Sequence, residues 1–163
     1  MELFLVQHGE AKPEAEDPQQ SLTHRGEETV RKMASWAALV GVRVAQIRHS
    51  GKRRAEQTAA LLAARLTPAH GVIAVDGLKP NDDEGPVAQA IQTEHELVML
   101  VGHLPFLSRL ASLLVAGNPK GGIIRFQQAG IVCLSNEEGK WAVNWAMPPE
   151  LLGPVANVTR FSH

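Results

Sequence analysis

Three places in the chain put residues able to handle an anion beside backbone that a ligand could approach. His8 precedes Gly9, His103 follows Gly102, and Lys52-Arg53-Arg54 follows His49-Ser50-Gly51. A neutral imidazole nitrogen can act as nucleophile or base, and a guanidinium offers fixed donors to phosphate or carboxylate oxygens. Glycine next to each histidine removes a Cβ and permits close approach. A lone histidine or a lone basic turn is more often a surface feature, so the pointer to an anion site is the convergence of three. Metal chemistry is the competing use of two histidines. No H-E-x-x-H helix or short His/Asp cluster is present, and Arg54 would repel a cation, so no metal or other cofactor is expected. G-x-S-x-G, Walker and G-x-G-x-x-G fingerprints are absent as well. His24, His49, His70, His95 and His163 have no comparable context.

The elements that must position these residues alternate along the chain. Leu3–Val6 reads as a short buried strand, followed by a loop from Gly9 to Ser21. Thr23 is placed to cap a helix carrying Val30, Met33, Ala37 and Val40 at helical spacing, which Gly41 stops. Val44–Ile47 reads as a strand, and Ala55, Ala59, Leu62 and Leu66 mark a helix ended by Pro68. Val72–Val75 reads as a strand, Pro86–Gln92 as a short helix, and Leu97–Val101 as a fully buried strand. Phe106, Leu110 and Leu114 define a last helix, closed by Gly117 and Pro119. Ile123–Phe126, Gly130–Leu134 and Trp141–Trp145 read as three further strands. The pattern predicts a three-layer α/β/α fold, with a mostly parallel central sheet and antiparallel C-terminal strands. Ligands of such sheets bind beyond the carboxyl ends of the strands. His8, the turn before Lys52-Arg53-Arg54, and His103 all fall at such ends.

Composition narrows the classes. The 163 residues suit one domain, 1–163, large enough to bury a core unaided. Sixteen Lys+Arg against 17 Asp+Glu leave a net charge of -1, which argues against nucleic acid and against an anionic membrane surface as partners. Cys133 is the single cysteine, so neither an intrachain disulfide nor a cysteine zinc site can form. The apolar start, Met1–Val6, is too short for a secretory signal, and no run suits a bilayer-spanning helix. A cytoplasmic protein is expected.

Four segments in order resemble the histidine phosphatase superfamily, whose fold is phosphoglycerate mutase-like. Gln7-His8-Gly9-Glu10 resembles its R-H-G-E motif, and Leu22-Thr23 with Gly26 its L-T-x-x-G helix start. Ser50 through Arg54-Ala55-Glu56-Gln57-Thr58 resembles S-x-x-x-R-A-x-Q-T, and Gly102-His103-Leu104-Pro105 resembles G-H-x-P. The small size and Val143-Asn144-Trp145-Ala146-Met147 are most similar to the small, SixA-type phosphohistidine phosphatases.

The resemblance implies that His8 is the nucleophile that becomes phosphorylated, with Arg54 and His103 holding phosphoryl oxygens. Gln7, Gly9 and Gln20 would complete the phosphate pocket. Two positions depart from the pattern: Gln7 and Gln20 stand where arginines are expected. Amides donate hydrogen bonds without charge, and such bonds are roughly half as strong. Lys12, Arg25 and Arg53 are the cations available to compensate. Only Asp76–Glu96 separates the third strand from the Leu97 strand, where larger relatives insert a lid, so an open site is expected. Asp83, between Asp82 and Glu84, is the candidate general acid. The expected activity is metal-independent hydrolysis through phospho-His8, on phosphohistidine of a signalling or phosphotransfer protein. The alternatives are a weakened site that only binds a phosphorylated residue, and a phosphatase for a small phosphoester.

Overall fold

The computed structural model describes residues 1–153, and His163 lies outside them. Six strands form one sheet among these residues: β1 (Glu2–Gln7), β2 (Gln46–His49), β3 (Val72–Ala74), β4 (Val98–Gly102), β5 (Ile131–Glu137) and β6 (Lys140–Met147). Four α-helices accompany them: α1 (His24–Leu39), α2 (Arg53–Leu66), α3 (Gly85–Gln92) and α4 (Phe106–Ala116). A 3-10 turn follows at Pro149–Leu152.

The spatial order is β3-β2-β4-β1-β5-β6. Strands β1 to β4 run parallel, and β5 and β6 add antiparallel pairs beside β1. Alternation along β1 divides its side chains between two cores, because successive residues face opposite sides of a sheet. Phe4 and Val6 pack with Met33, Ala37, Ala59 and Leu62 of α1 and α2. Leu3 and Leu5 pack with Ile91, Phe106, Leu107 and Leu110 of α3 and α4. Helices therefore cover both faces, and the three-layer expectation holds.

Local signals act where the residues suggest. Thr23 caps α1, accepting the Gly26 N–H on its hydroxyl at 2.9 Å. Thr67, left-handed with φ 46°, ends α2 just before Pro68. Gly117, also left-handed, ends α4. Two expectations need correction. The second strand starts two residues later than Val44, because its ladder with β4 opens at Gln46 opposite Val98. Ile123–Phe126 is not a strand. Both edges of β1 are already taken, by β4 and β5, and the segment joins neither outer edge of the sheet. Ile123, Ile124 and Phe126 instead pack sideways on the α3/α4 core. Among the described residues no helix is long and apolar enough to cross a membrane.

Candidate active site

The parallel strands β1, β2 and β4 end together, and register brings their last residues side by side. Gln7 stands opposite Gly102, and His49 opposite Val101. His8 continues β1 by donating its backbone N–H to Gly102 O at 3.0 Å. The loop after it is held by the first turns of α2 and by the N-cap of α1. Gly9 N–H donates to Thr58 Oγ1 at 3.0 Å, and that hydroxyl donates to Arg54 O at 2.8 Å. Leu22 N–H donates to Gln57 Oε1 at 2.7 Å. Thr23 donates its N–H to Glu10 O at 3.0 Å and its hydroxyl to Glu10 Oε1 at 2.8 Å.

His8 is oriented by its own loop. Its Nδ1 lies 2.7 Å from Gly9 O, which can only accept, so Nδ1 carries the proton. Nε2 is left with its lone pair outward, and Arg54 Nε donates to it at 3.3 Å. Arg54 NH1 donates to Gln20 Oε1 at 3.4 Å. Gln20 is presented by a turn in which Asp17 accepts the Gln19 and Ser21 backbone N–H groups, each at 3.0 Å, and the Ser21 hydroxyl; Gln20 itself has φ 49°.

His103 is 1% exposed, and its ring centroid lies 5.0 Å from that of His8. Its Nε2 is 2.6 Å from Ser50 Oγ, and its Nδ1 is buried without a partner. Burial pushes His8 below the ordinary 6.5; the Gly9 carbonyl opposes this and Arg54 adds to it. Burial, then the nearby His8, Arg54 and Lys52 charges, brings His103 down to about 3. Both rings are thus neutral at pH 7 beside a cation. The arrangement joins an unprotonated imidazole nitrogen, the guanidinium that donates to it and a second, buried imidazole, which suits a nucleophile facing a bound oxyanion.

His8, Arg54, His103, Gln20 and Gly9 are brought together, and Gln7 adjoins them with its Oε1 buried and unpartnered. Asp83 is held otherwise. Its Oδ1 accepts the Gly85 N–H at 2.9 Å at the start of α3, and it stays exposed. Asp82 Oδ2 accepts the Lys79 N–H, and Glu84 pairs with Arg109 at 3.3 Å. Of the candidate compensating cations, Arg53 lines a depression of about 540 Å³ with Gln20, Lys52 and Arg54. Arg25 lines a groove of about 740 Å³ with Gln7, Glu10 and Leu104. Lys12 lines neither. His24 and His70 make exposed contacts with Glu28 and Glu96. His49 shapes the turn after β2, its Nδ1 accepting the Gly51 N–H at 3.1 Å. Sequence reasoning did not find the Ser50 contact to His103, although Ser50 stands at a strand end.

The family model for the histidine phosphatase superfamily (branch 1) matches residues 3–80. The phosphohistidine phosphatase SixA of Escherichia coli K12 is 29% identical over 155 residues, covering 91% of this chain and 94% of that protein. An uncharacterised protein of Picosynechococcus is 30% identical over 141 residues, covering 82% and 84%. The protein histidine phosphatase SixA solved with tungstate superposes with a TM-score of 0.83 at 28% identity, covering 93% of this chain and 99% of that one. A phosphoserine phosphatase of Entamoeba histolytica shares the fold, with a TM-score of 0.70 at 16% identity, covering 91% and 98%.

Proposed function

The chain belongs to the histidine phosphatase superfamily and is a phosphatase, and on that premise we propose that it works through a covalent phosphohistidine at His8. The observation carrying this reading is the fixed tautomer of His8, with Nδ1 on Gly9 O and an unprotonated Nε2 that accepts from Arg54 Nε. Nε2 attacks phosphorus in line, and the N–P bond forms as the bond to the leaving group breaks. The Nδ1 proton stays, shared with Gly9 O, so the ring becomes cationic against the negative phosphoryl group. The leaving group takes a proton, for which Asp83 is the proposed donor. Water then attacks phosphorus and returns a proton to Asp83, the N–P bond breaks, and hydrogen phosphate leaves with His8 neutral again. Arg54 and His103 bind the equatorial oxygens, assisted by the amides of Gln7 and Gln20 and by the backbone at Gly9. These donors supply the charge stabilisation, and the reading needs no metal.

The substrate proposed is phosphohistidine on a signalling or phosphotransfer protein in the cytoplasm, and the chain is read as one domain, 1–163. Support comes from the short crossover between β3 and β4, which contains only α3 and leaves the strand ends uncovered by any larger insertion. The named activity of the Escherichia coli relative points the same way. Gln7 and Gln20 favour a second reading, a site that binds a phosphorylated residue with little turnover, since neither brings charge. Small phosphoesters are the third class, represented by the phosphoserine phosphatase that shares the fold.

The test is turnover of a labelled phosphohistidine protein and of simple phosphoesters, with samples quenched in alkaline detergent, where the N–P bond survives, and scored for label on the enzyme. His8→Ala is expected to abolish hydrolysis and labelling together. Hydrolysis by His8→Ala at the original rate would remove His8 as nucleophile. Capture of the phosphohistidine protein with neither label on His8 nor released phosphate would support the binding reading, and label on His8 would count against it.

A further inference from the structure

The contacts around Ser50 extend the proposed role of His103, on which this inference rests. Ser50 is 4% exposed and sits at the carboxyl end of β2, on the turn that enters α2. Lys52 N–H donates to Ser50 Oγ at 3.3 Å, which occupies an acceptor position on the hydroxyl. The Ser50 hydroxyl proton is then free to point at His103 Nε2, 2.6 Å away. An imidazole nitrogen that accepts has no proton, so in the neutral ring the proton must be on Nδ1. His103 Nδ1 is buried and has no hydrogen-bond partner among the described residues. A donor that is buried and unmet costs free energy unless a ligand satisfies it. The adjoining groups, His8 5.0 Å away ring to ring and Arg54 bonded to His8, belong to the phosphoryl site.

We propose that Ser50 is a positioning residue that holds His103 as its Nδ1–H tautomer, so that a buried neutral imidazole donates to a phosphoryl oxygen. Without the hydroxyl, nothing opposes the Nε2–H tautomer, and Nδ1 would turn a lone pair toward the anion. The pair would then repel where it should bind. The low proton affinity of His103, caused mainly by burial, agrees with this device, since the donor must come from tautomer choice in a ring that is neutral in the free enzyme.

The experiment combines nitrogen-15 NMR of the imidazoles with orthovanadate and orthophosphate binding, on the full chain and on Ser50→Ala and Ser50→Thr. In the unaltered protein His103 is expected to show a protonated Nδ1 and a bare Nε2. Ser50→Ala should move His103 toward Nε2–H and weaken both anions by roughly ten- to a hundredfold, the value of one hydrogen bond to a charged group. Ser50→Thr should restore both readouts. A protonated Nε2 in the neutral ring of the free, unaltered protein would overturn the proposal. So would Ser50→Ala with unchanged tautomer, or with changed tautomer and anion affinity within twofold. Failure of the nucleophile reading is separate: it is read from hydrolysis by His8→Ala, while the tautomer of His103 is read without turnover.

Discussion

At the residue scale the site depends on two imidazoles being neutral. Burial is the first cause for both, and for His8 the Gly9 carbonyl works against it. A histidine whose folded pKa lies below its unfolded value binds fewer protons when folded, so it favours the unfolded state as pH falls. For His103 the window runs from the ordinary 6.5 down to about 3. His103→Asn should therefore gain stability relative to the unaltered protein as pH drops through that window, measured by urea midpoints at pH 7 and pH 4.5. A constant difference between the two would contradict the depressed pKa. Gln7 poses a different question. Its buried Oε1 has no partner, so replacing the amide breaks no bond there. Gln7→Arg adds a charged donor beside the proposed phosphoryl site, and turnover should rise by about tenfold or more. No gain in kcat would show that this position does not limit the reaction.

At the element scale, the His8 loop is packed closely against the helices beside it. A Cβ at Gly26, in the first turn of α1, would lie 2.2 Å from Glu10 O, and one at Gly9 would lie 2.8 Å from Val30 Cγ2. The backbone oxygen cannot yield as a flexible side chain can. Gly26→Ala is expected to push α1 away from the loop, costing about 1–3 kcal/mol by urea unfolding. It should lower kcat more than it raises KM, because the displaced loop carries His8, the proposed nucleophile. An alanine variant as stable and as active as the original would show that the loop moves freely. Helix α2 supplies the matching support: Gln57 and Thr58 hold Leu22 and Gly9, while Arg54 on the same helix faces His8. The S-x-x-x-R-A-x-Q-T segment is thus one helix start whose polar residues each have a separate partner.

At the scale of the whole molecule, β1 joins the two cores, with Phe4 and Val6 in one and Leu3 and Leu5 in the other. Such a strand couples the layers, and we expect a single cooperative unfolding transition for one domain. The tryptophans make this testable. Trp36 of α1 meets Trp145 of β6 edge-on, with centroids 5.6 Å apart, while Trp141 is buried in the other core. Fluorescence and far-ultraviolet circular dichroism should give coincident urea transitions. Two separated midpoints would divide the chain into independent units. The same architecture confines the site to the ends of three strands, with grooves on either side of it lined by both signs of charge. That local arrangement is invisible in a net charge of -1.

The sequence by itself determined which residues could handle phosphate and which elements would carry them. Periodicity and capping are local, so the four helices, the capping role of Thr23 and the core strands were readable from neighbouring residues. Ile123–Phe126 shows the boundary of that logic. Its apolar run suits a strand, but the segment packs its apolar side chains on the α3/α4 core instead of joining the sheet, which neighbouring residues alone do not reveal. The site divides in the same way. His8, Arg54 and His103 carried their residue types and strand-end positions in the sequence. The direction of Nε2 on His8, the lowered proton affinity of both rings and the Ser50 contact arise only when segments 46 and 53 residues apart are brought within bonding distance. Hydrogen-bond partners and burial are set by three-dimensional neighbours, so only the tertiary structure decided them.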